Sequence, residues 1–268
     1  MMKRYISTCI FALLSLVLVT PSAFAQDKTS DNLSKQEMID LLEEIDDRQR
    51  STGDYKADVY IDQREKDKSE LLYQASIYRR DKADKMVILF TKPRSEAGKG
   101  YLRIDKNMFM YDPNVGKWER RTERERIGGT GSQRRDFDEW RLADEFEPAY
   151  VGKEKLGKFE VHHLKLTAKD KNDVAYPIME LWLDADSGNV LKLQEFALSE
   201  RLMRTTYYPK WSKIKSKTKG DFVYFPKEIR IYDEVEKGNR TIILFREVDL
   251  TSLPDNIFTK AWLESKSR

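Results

Sequence analysis

Apolar residues occupy every second position through most of this chain, and this alternation constrains the fold more than any other feature. It begins at residues 55–62, where apolar residues alternate with Lys56, Asp58 and Asp62, and it recurs in segments as far as residues 240–250. A period of two predicts strands with one buried and one solvated face. Turn signals between the segments predict about ten or eleven strands in an antiparallel meander.

The predicted sheet is large for one that lies flat with open edges. Antiparallel sheets of this size curl or close to hide their edges. The only long helical pattern spans residues 35–49, after a capping box of Ser34 and Glu37 and before Gly53. One helix covers only part of an apolar sheet face, so the concave side is expected to be incompletely filled by side chains.

Composition favours one globular domain without a nucleic-acid partner. No Gly/Ser linker, repeat or change in composition divides the chain, and 40% of its residues are hydrophobic. Residues 26–268 are therefore expected to form a single domain. With 49 basic and 46 acidic residues the net charge is +3, which is too small a basic excess to recruit nucleic acid.

The N-terminus has the pattern of a secretory signal peptide. Lys3 and Arg4 precede an apolar run over residues 10–19, and a small-x-small site ends at Ala25. Cleavage is expected after Ala25; a retained membrane anchor is the alternative, although the run is short for a spanning helix. Cys9 is the only cysteine and lies inside this segment, so the mature chain would carry no thiol. The location expected is the periplasm, although a signal peptide alone does not separate it from secretion.

The residue types that carry catalysis are poorly placed for it. His162 and His163 are neighbours in a strand pattern and would point to opposite faces. The spacing of Asp184, Asp186 and Glu195 resembles a calcium loop, but the flanking segments are strands and the glycine is misplaced, which favours a hairpin turn. We therefore expect no enzymatic activity, no metal site and no cofactor.

Residues 99–121 raise the question of whether the apolar face is a core or the lining of a cavity. Leu102, Ile104, Met108 and Met110 are interpreted as one inward stripe, with Arg103 on the exposed face. Methionine adapts its shape and suits surfaces that accept variable ligands. The glycine-rich segment that follows, residues 128–132, is predicted to be a mobile loop or hinge.

Three blocks of sequence resemble the outer-membrane lipoprotein-sorting family, the LolA-like carriers. The first is "GKGYLRIDKNMFMYDPNVGKWERR", followed by the Gly-Gly loop and a short helix containing Phe137. The others are "PIMELWLDADSGNVLKLQEF" and "DLTSLPDNIFTKAWLE". The resemblance covers most of the mature chain, and its first block is the most specific.

The resemblance implies an incomplete antiparallel β-barrel (a half-barrel) with an N-terminal helix and a helical insertion acting as a lid over a hydrophobic cavity. Residues expected in the cavity wall are Met86, Ile88, Phe90, Leu102, Ile104, Met108, Met110, Trp118, Leu181 and Leu183. Residues expected in the lid are Met38, Leu41, Leu42, Ile45, Phe137, Trp140 and Leu142. For residues 86–90 the sequence leaves open which of two apolar phases faces inward.

The family resemblance also implies a function, which is moving lipid or lipoprotein acyl chains between membranes. The partners expected are those acyl chains and an inner-membrane transporter, and the protein is expected to be a monomer. Two alternatives remain: a binding module that senses lipids or lipoproteins and regulates a membrane partner, and an exported structural protein with a solid core.

Overall fold

The computed structural model describes residues 32–50, 53–105, 107–122, 125–137, 140–171, 174–216 and 220–267. The predicted signal peptide lies outside these residues. The helices are α1 Lys35–Arg50, α2 Leu142–Glu145 and α3 Lys260–Lys266. The first strands are β1 Asp54–Arg64, β2 Leu71–Arg80, β3 Lys85–Lys92, β4 Gly100–Ile104, β5 Asn107–Asp112 and β6 Lys117–Arg121. The remaining strands are β7 Phe146–Leu156, β8 Phe159–Ala168, β9 Ile178–Asp184, β10 Val190–Phe196, β11 Leu202–Lys215, β12 Phe222–Asp233 and β13 Arg240–Asp249.

All thirteen strands form one antiparallel sheet that does not close. Its order is β6-β5-β4-β3-β2-β1-β13-β12-β11-β10-β9-β8-β7. Every neighbouring pair is consecutive in sequence except β1 and β13, which join the first and last strands at the centre. The mainly-β, half-barrel architecture expected from the sequence is confirmed, with more strands than the ten or eleven predicted.

The helix α1 forms where the sequence predicts it. The Ser34 backbone N–H donates to Glu37 Oε2 at 2.7 Å, and the Glu37 N–H donates to Ser34 Oγ, which completes the capping box. The apolar face of α1 then packs on the concave side of β8 to β11. The described residues include no helix with the length and apolar character needed to span a bilayer.

Two inner clusters and one main outer cluster of apolar side chains hold the sheet, with a fourth, smaller group at Val161, Trp182 and Leu191. The first inner cluster covers β1 to β5, β12 and β13; it includes Val59, Ile77, Ile88, Ile231 and Ile243. The second inner cluster joins α1 and α2 to β8–β11; it includes Leu42, Leu142, Leu164, Leu181 and Leu193. The outer cluster lies on the other face of β3 and β4 under the C-terminal segment; it includes Val87, Leu102, Ile257, Phe258 and Leu263.

The predicted single stripe through β4 and β5 is wrong, because the turn between these strands reverses the phase. Ile104 pairs with Asn107, so Leu102 pairs with Phe109 and Arg103 pairs with Met108. Directly opposed residues share a sheet face. Leu102 and Ile104 therefore face outward, whereas the neighbouring strand turns Met108 inward.

Candidate functional site

A central pocket lies between the two inner clusters, on the concave face of the sheet. Ile45 of α1 and Trp140 border it on one side, and aromatic residues from the central strands form the other. Its enclosed volume is about 110 Å³. The main apolar lining residues are Ile45, Tyr55, Phe137, Trp140, Val190, Tyr208, Trp211, Phe225, Ile229 and Phe245. Ile229 packs against both inner clusters, so the pocket is the space that these clusters leave between them.

The insertion, residues 125–137 and 140–145, covers the concave face together with α1. Asp46 is fully buried on α1, and its carboxylate accepts the backbone N–H groups of Leu142 and Ala143, each at 3.0 Å. These N–H groups begin α2 and have no partner within that helix. One side chain therefore joins the two elements over the pocket.

Two guanidinium groups, one buried and one half-buried, hold the insertion at Phe137. Arg79 of β2 and Arg103 of β4 each donate to the backbone oxygen of Phe137 at 3.2 Å. Arg103 also pairs with Asp84 at 2.6 Å and is 5% exposed. The prediction that Arg103 lies on the exposed face is wrong, since β4 turns it inward beneath the insertion.

A buried ion-pair network fixes the short helical turn Arg134–Phe137 to the sheet. Arg204 of β11 pairs with Asp136 at 2.7 Å and with Glu195 of β10 at 3.3 Å. Glu195 also receives Arg135 at 2.8 Å. These partners offset the cost of removing the charges from water.

The tyrosine hydroxyls of the pocket wall stay uncharged near neutral pH, and the charged lining residues are Arg48, Arg79 and Asp136. Burial raises the pKa of Tyr208, and the nearby carboxylates of Asp136 and Glu195 raise it further. Burial likewise raises the pKa of Tyr55. Both hydroxyls therefore stay neutral, and the pocket offers aromatic surface with Arg48 and Asn189 at its rim.

The glycine-rich segment is packed into the concave side rather than held open. A Cβ on Gly128 would lie 2.9 Å from the Phe90 ring, and one on Gly129 would lie 2.4 Å from the Tyr73 hydroxyl. The Gly128 N–H donates to the Tyr101 hydroxyl at 2.7 Å. Its glycines are needed for this close approach, which the prediction of a mobile loop missed.

The residues predicted for the cavity wall do not lie together. Met86, Ile88, Phe90 and Met108 are buried in the first inner cluster, and Met110 packs against it. This placement also decides the phase of β3, since Met86, Ile88 and Phe90 all face inward. None of these five residues lines the central pocket.

The other predicted wall residues fall into two further places. Leu102 belongs to the outer cluster, and Ile104 and Trp118 pack against it, so these three face away from the concave side. Leu181 and Leu183 are buried in the second inner cluster beneath α1.

Three of the predicted lid residues border the central pocket, namely Ile45, Phe137 and Trp140. Met38, Leu42 and Leu142 are buried in the second inner cluster, and Leu41 packs against it. Most of the aromatic lining was not predicted: Tyr208, Trp211 and Phe225 come from β11 and β12, where bulges at Tyr207/Lys210 and Lys210/Trp211 break the period of two.

The histidines and the acidic turn are placed as the sequence suggests. His162 lies 3.2 Å from the Tyr150 hydroxyl, whereas His163 stacks on Trp182 with a centroid distance of 4.1 Å. Asp184 begins a hairpin turn in which the Gly188 N–H donates to the Asp184 backbone oxygen. Within the described ranges, no three His, Cys, Asp or Glu side chains are grouped so that they could hold a metal.

Comparisons with known proteins agree with this architecture. A family model described as "uncharacterized protein" matches residues 82–265. A domain named for outer membrane lipoprotein sorting, from Vibrio parahaemolyticus, is 17% identical with a TM-score of 0.76, and the match covers 86% of this chain and 100% of that one. No curated protein matches the sequence.

Two further solved structures share the fold. A LolA superfamily protein from Nitrosomonas europaea is 23% identical with a TM-score of 0.68, over 86% of this chain and 99% of that one. A DUF1329 family protein from Desulfovibrio piger is 18% identical with a TM-score of 0.76, over 85% of this chain and 98% of that one.

Proposed function

Because this chain belongs to a LolA-like family, we propose that it carries lipid or lipoprotein acyl chains between membranes in the central pocket. The observation that supports this most directly is the pocket itself. Most of its lining is aromatic or aliphatic, with Arg48, Arg79 and Asp136 as the charged members, and it lies between the sheet, α1 and the insertion. A pocket with a mainly apolar wall and a few polar groups at its rim is the usual form of a small-molecule site.

The pocket must enlarge to hold a long acyl chain. Its volume is about 110 Å³, whereas sites for molecules of that size span roughly 300–1,000 Å³. In this proposal α1 and the insertion act as the lid and move away from the sheet on loading. Burial of about 16 methylene groups then contributes roughly 10 kcal/mol or more, which makes passage through water without a carrier impractical.

The proposal extends to where the protein works and with what. Residues 1–25 act as a signal peptide, and residues 26–268 work in the periplasm as one monomeric domain without enzymatic activity or a cofactor. Strong burial of an acyl chain makes its release slow, so an inner-membrane transporter is the partner that would drive loading.

Mass spectrometry of solvent extracts tests the proposal first. The mature protein is purified from its native exported fraction without detergent, and a stoichiometric lipid or acylated peptide is expected. Transfer of that cargo to acceptor vesicles distinguishes a carrier from a sensor that binds without transfer. A protein that is empty and also takes up no fluorescent fatty acid would contradict the proposal and favour a structural role.

A charge placed in the pocket tests the site. Ile229 of β12 is half-buried in the pocket wall. Ile229→Glu is expected to abolish fatty-acid retention, because the carboxylate would lose its hydration beside an apolar chain. The matched control is Ile242→Glu on β13, since Ile242 pairs with Arg230 on the opposite sheet face. Equal fatty-acid retention in both variants would mean that the cargo binds outside the central pocket.

A further inference from the structure

The sheet divides locally between β12 and β13. These strands pair only from Glu228 to Tyr232 against Leu244 to Arg240. Beyond the Glu228–Leu244 pair, the Phe222–Pro226 part of β12 pairs with β11, whereas Arg246 of β13 pairs with Asp58 of β1. The two strands therefore separate and leave an open groove between them.

The groove has a volume of about 1050 Å³ and an excess of positive charge. Its cations are Lys213, Lys215, Lys227 and Arg246, all of which are exposed. Within the described part of the chain none of the four makes an ion pair, although the Lys213 ammonium lies over the rings of Phe222 and Tyr224.

Two carboxylates also line the groove, and they leave the charge excess in place. Asp58 accepts a hydrogen bond from the Ser76 hydroxyl at 2.6 Å, and Glu247 is exposed. The rest of the wall is largely apolar; it includes Tyr60, Leu72, Ile214, Leu244 and Val248. The combination of unpaired cations and apolar surface fits an amphiphile with an anionic head.

One aromatic side chain, Phe245, lines both this groove and the central pocket. Its ring meets the Phe225 ring edge-on at 5.1 Å, and Phe225 meets Tyr55 in the same way at 5.2 Å. A molecule with its tail in the central pocket could therefore extend its head past Phe245 into the groove.

We propose that the groove between β12 and β13 binds the anionic phosphate head group of a phospholipid whose acyl chain lies in the central pocket. This inference rests on the proposed function, because it assigns the second half of the same ligand. Lysine and arginine are the side chains that bind phosphate through charge-assisted hydrogen bonds. An open groove also lets the head group keep part of its hydration.

The test uses the mature protein with a neutral fluorescent long-chain alcohol bound in the pocket. The probe is displaced by lysophosphatidylglycerol or lysophosphatidylcholine of equal chain length, at low ionic strength. We expect the anionic lipid to displace the probe at a concentration at least tenfold lower. Lys213→Gln/Lys227→Gln/Arg246→Gln is expected to remove this preference and to leave displacement by an unlabelled alcohol of equal chain length, which carries no phosphate, unchanged.

A control variant separates the groove from net charge. Lys117→Gln/Lys171→Gln/Arg201→Gln removes the same three charges at exposed positions outside the groove, and it should keep the preference. Equal loss in both triple variants, or no preference in the wild type, would overturn the inference. So would tight binding of inorganic phosphate alone in the groove, which would indicate a free-anion site. A protein that does not bind the probe at all would instead contradict the proposed function.

Discussion

At the scale of single residues, one carboxylate connects the elements that cover the pocket. Asp46 points from α1 and caps the N-terminus of α2 through two backbone hydrogen bonds. It is fully buried, and Leu142 is also buried, so the Leu142 N–H has little access to water if the carboxylate is removed, whereas Ala143 is half-buried.

Asp46→Ala is expected to lower the free energy of unfolding by about 1–3 kcal/mol, because it removes the acceptor of the buried Leu142 N–H and of the half-buried Ala143 N–H. Hydrogen exchange at the amides of residues 142–145 should rise by more than the global destabilisation explains. Asp47→Ala is the matched control, since Asp47 is the next residue and is exposed. Unchanged protection at residues 142–145 would show that the cap does not hold the insertion.

Single residues also show where sequence reasoning stops. The phase reversal between Ile104 and Asn107 could have been predicted, because a two-residue turn pairs these positions directly. The burial of Arg103 could not, since its partners Asp84 and Phe137 are distant in sequence or supplied by an irregular segment. A charged residue in an alternating strand is normally exposed.

At the scale of elements, the C-terminal segment closes the outer face of β3 and β4. Asp54 at the start of β1 accepts the Leu253 N–H at 2.7 Å and pairs with Arg80 at 2.8 Å. Farther along, Trp118 Nε1 donates to Glu264 at 2.6 Å. Asp54, at the start of β1, thus anchors the C-terminal segment to the sheet.

The attachment through Asp54 is expected to be sensitive to acid. Burial alone would raise the pKa of Asp54, but hydrogen bonds from Arg80 and the Leu253 N–H outweigh it and lower the pKa. Such a carboxyl contributes stability above its unfolded pKa of about 4, and that stability is lost as the pH falls through the folded pKa. Hydrogen-exchange protection of the Leu253 amide should therefore fall progressively as the pH is lowered from about 4 through the folded pKa of Asp54.

The control for this prediction is Asp54→Asn, which removes the titrating group. Its Leu253 amide should show no acid-dependent step, because the Asn side chain does not titrate. Equal acid dependence in the wild type and in Asp54→Asn would mean that Asp54 does not cause the loss of protection.

Elements with a regular period were predicted well, and irregular ones were not. The helix α1 and most strands follow from their apolar spacing and turns. β7 was missed because Pro148 and Gly152 weaken its pattern, yet it is an edge strand, where proline is tolerated. The insertion carries no long periodic signal, because polar contacts and single apolar residues such as Phe137 and Leu142, rather than a continuous apolar stripe, hold it in place.

At the scale of the whole molecule, Arg48 closes the rim of the central pocket. It donates to the Ser187 backbone oxygen at 2.6 Å and to Asn189 Oδ1 at 3.2 Å, and its guanidinium lies 4.9 Å from the Tyr224 ring centroid. These contacts connect α1 to the β9–β10 turn and to β12 across the mouth of the pocket.

Arg48→Ala is expected to speed uptake of a fluorescent fatty acid several-fold, because fewer contacts then resist movement of α1 from the sheet. Stopped-flow fluorescence measures the rate. Glu44→Ala is the control, since Glu44 pairs with Arg48 but lies outside the pocket lining. An unchanged or slower rate in Arg48→Ala would mean that acyl chains reach the pocket by another route.

The strand order has a consequence for how this molecule is made. Each half of the sheet is a meander of sequence neighbours, and only the β1–β13 ladder joins the halves by backbone pairing. Such local pairings form quickly, whereas the ladder between the first and last strands waits for the end of the chain. The helix α1 leaves the ribosome before all the strands it packs on, β8 to β11, so newly made chains pass through a stage in which the apolar face of α1 is exposed and the sheet surface that will cover it has not yet formed.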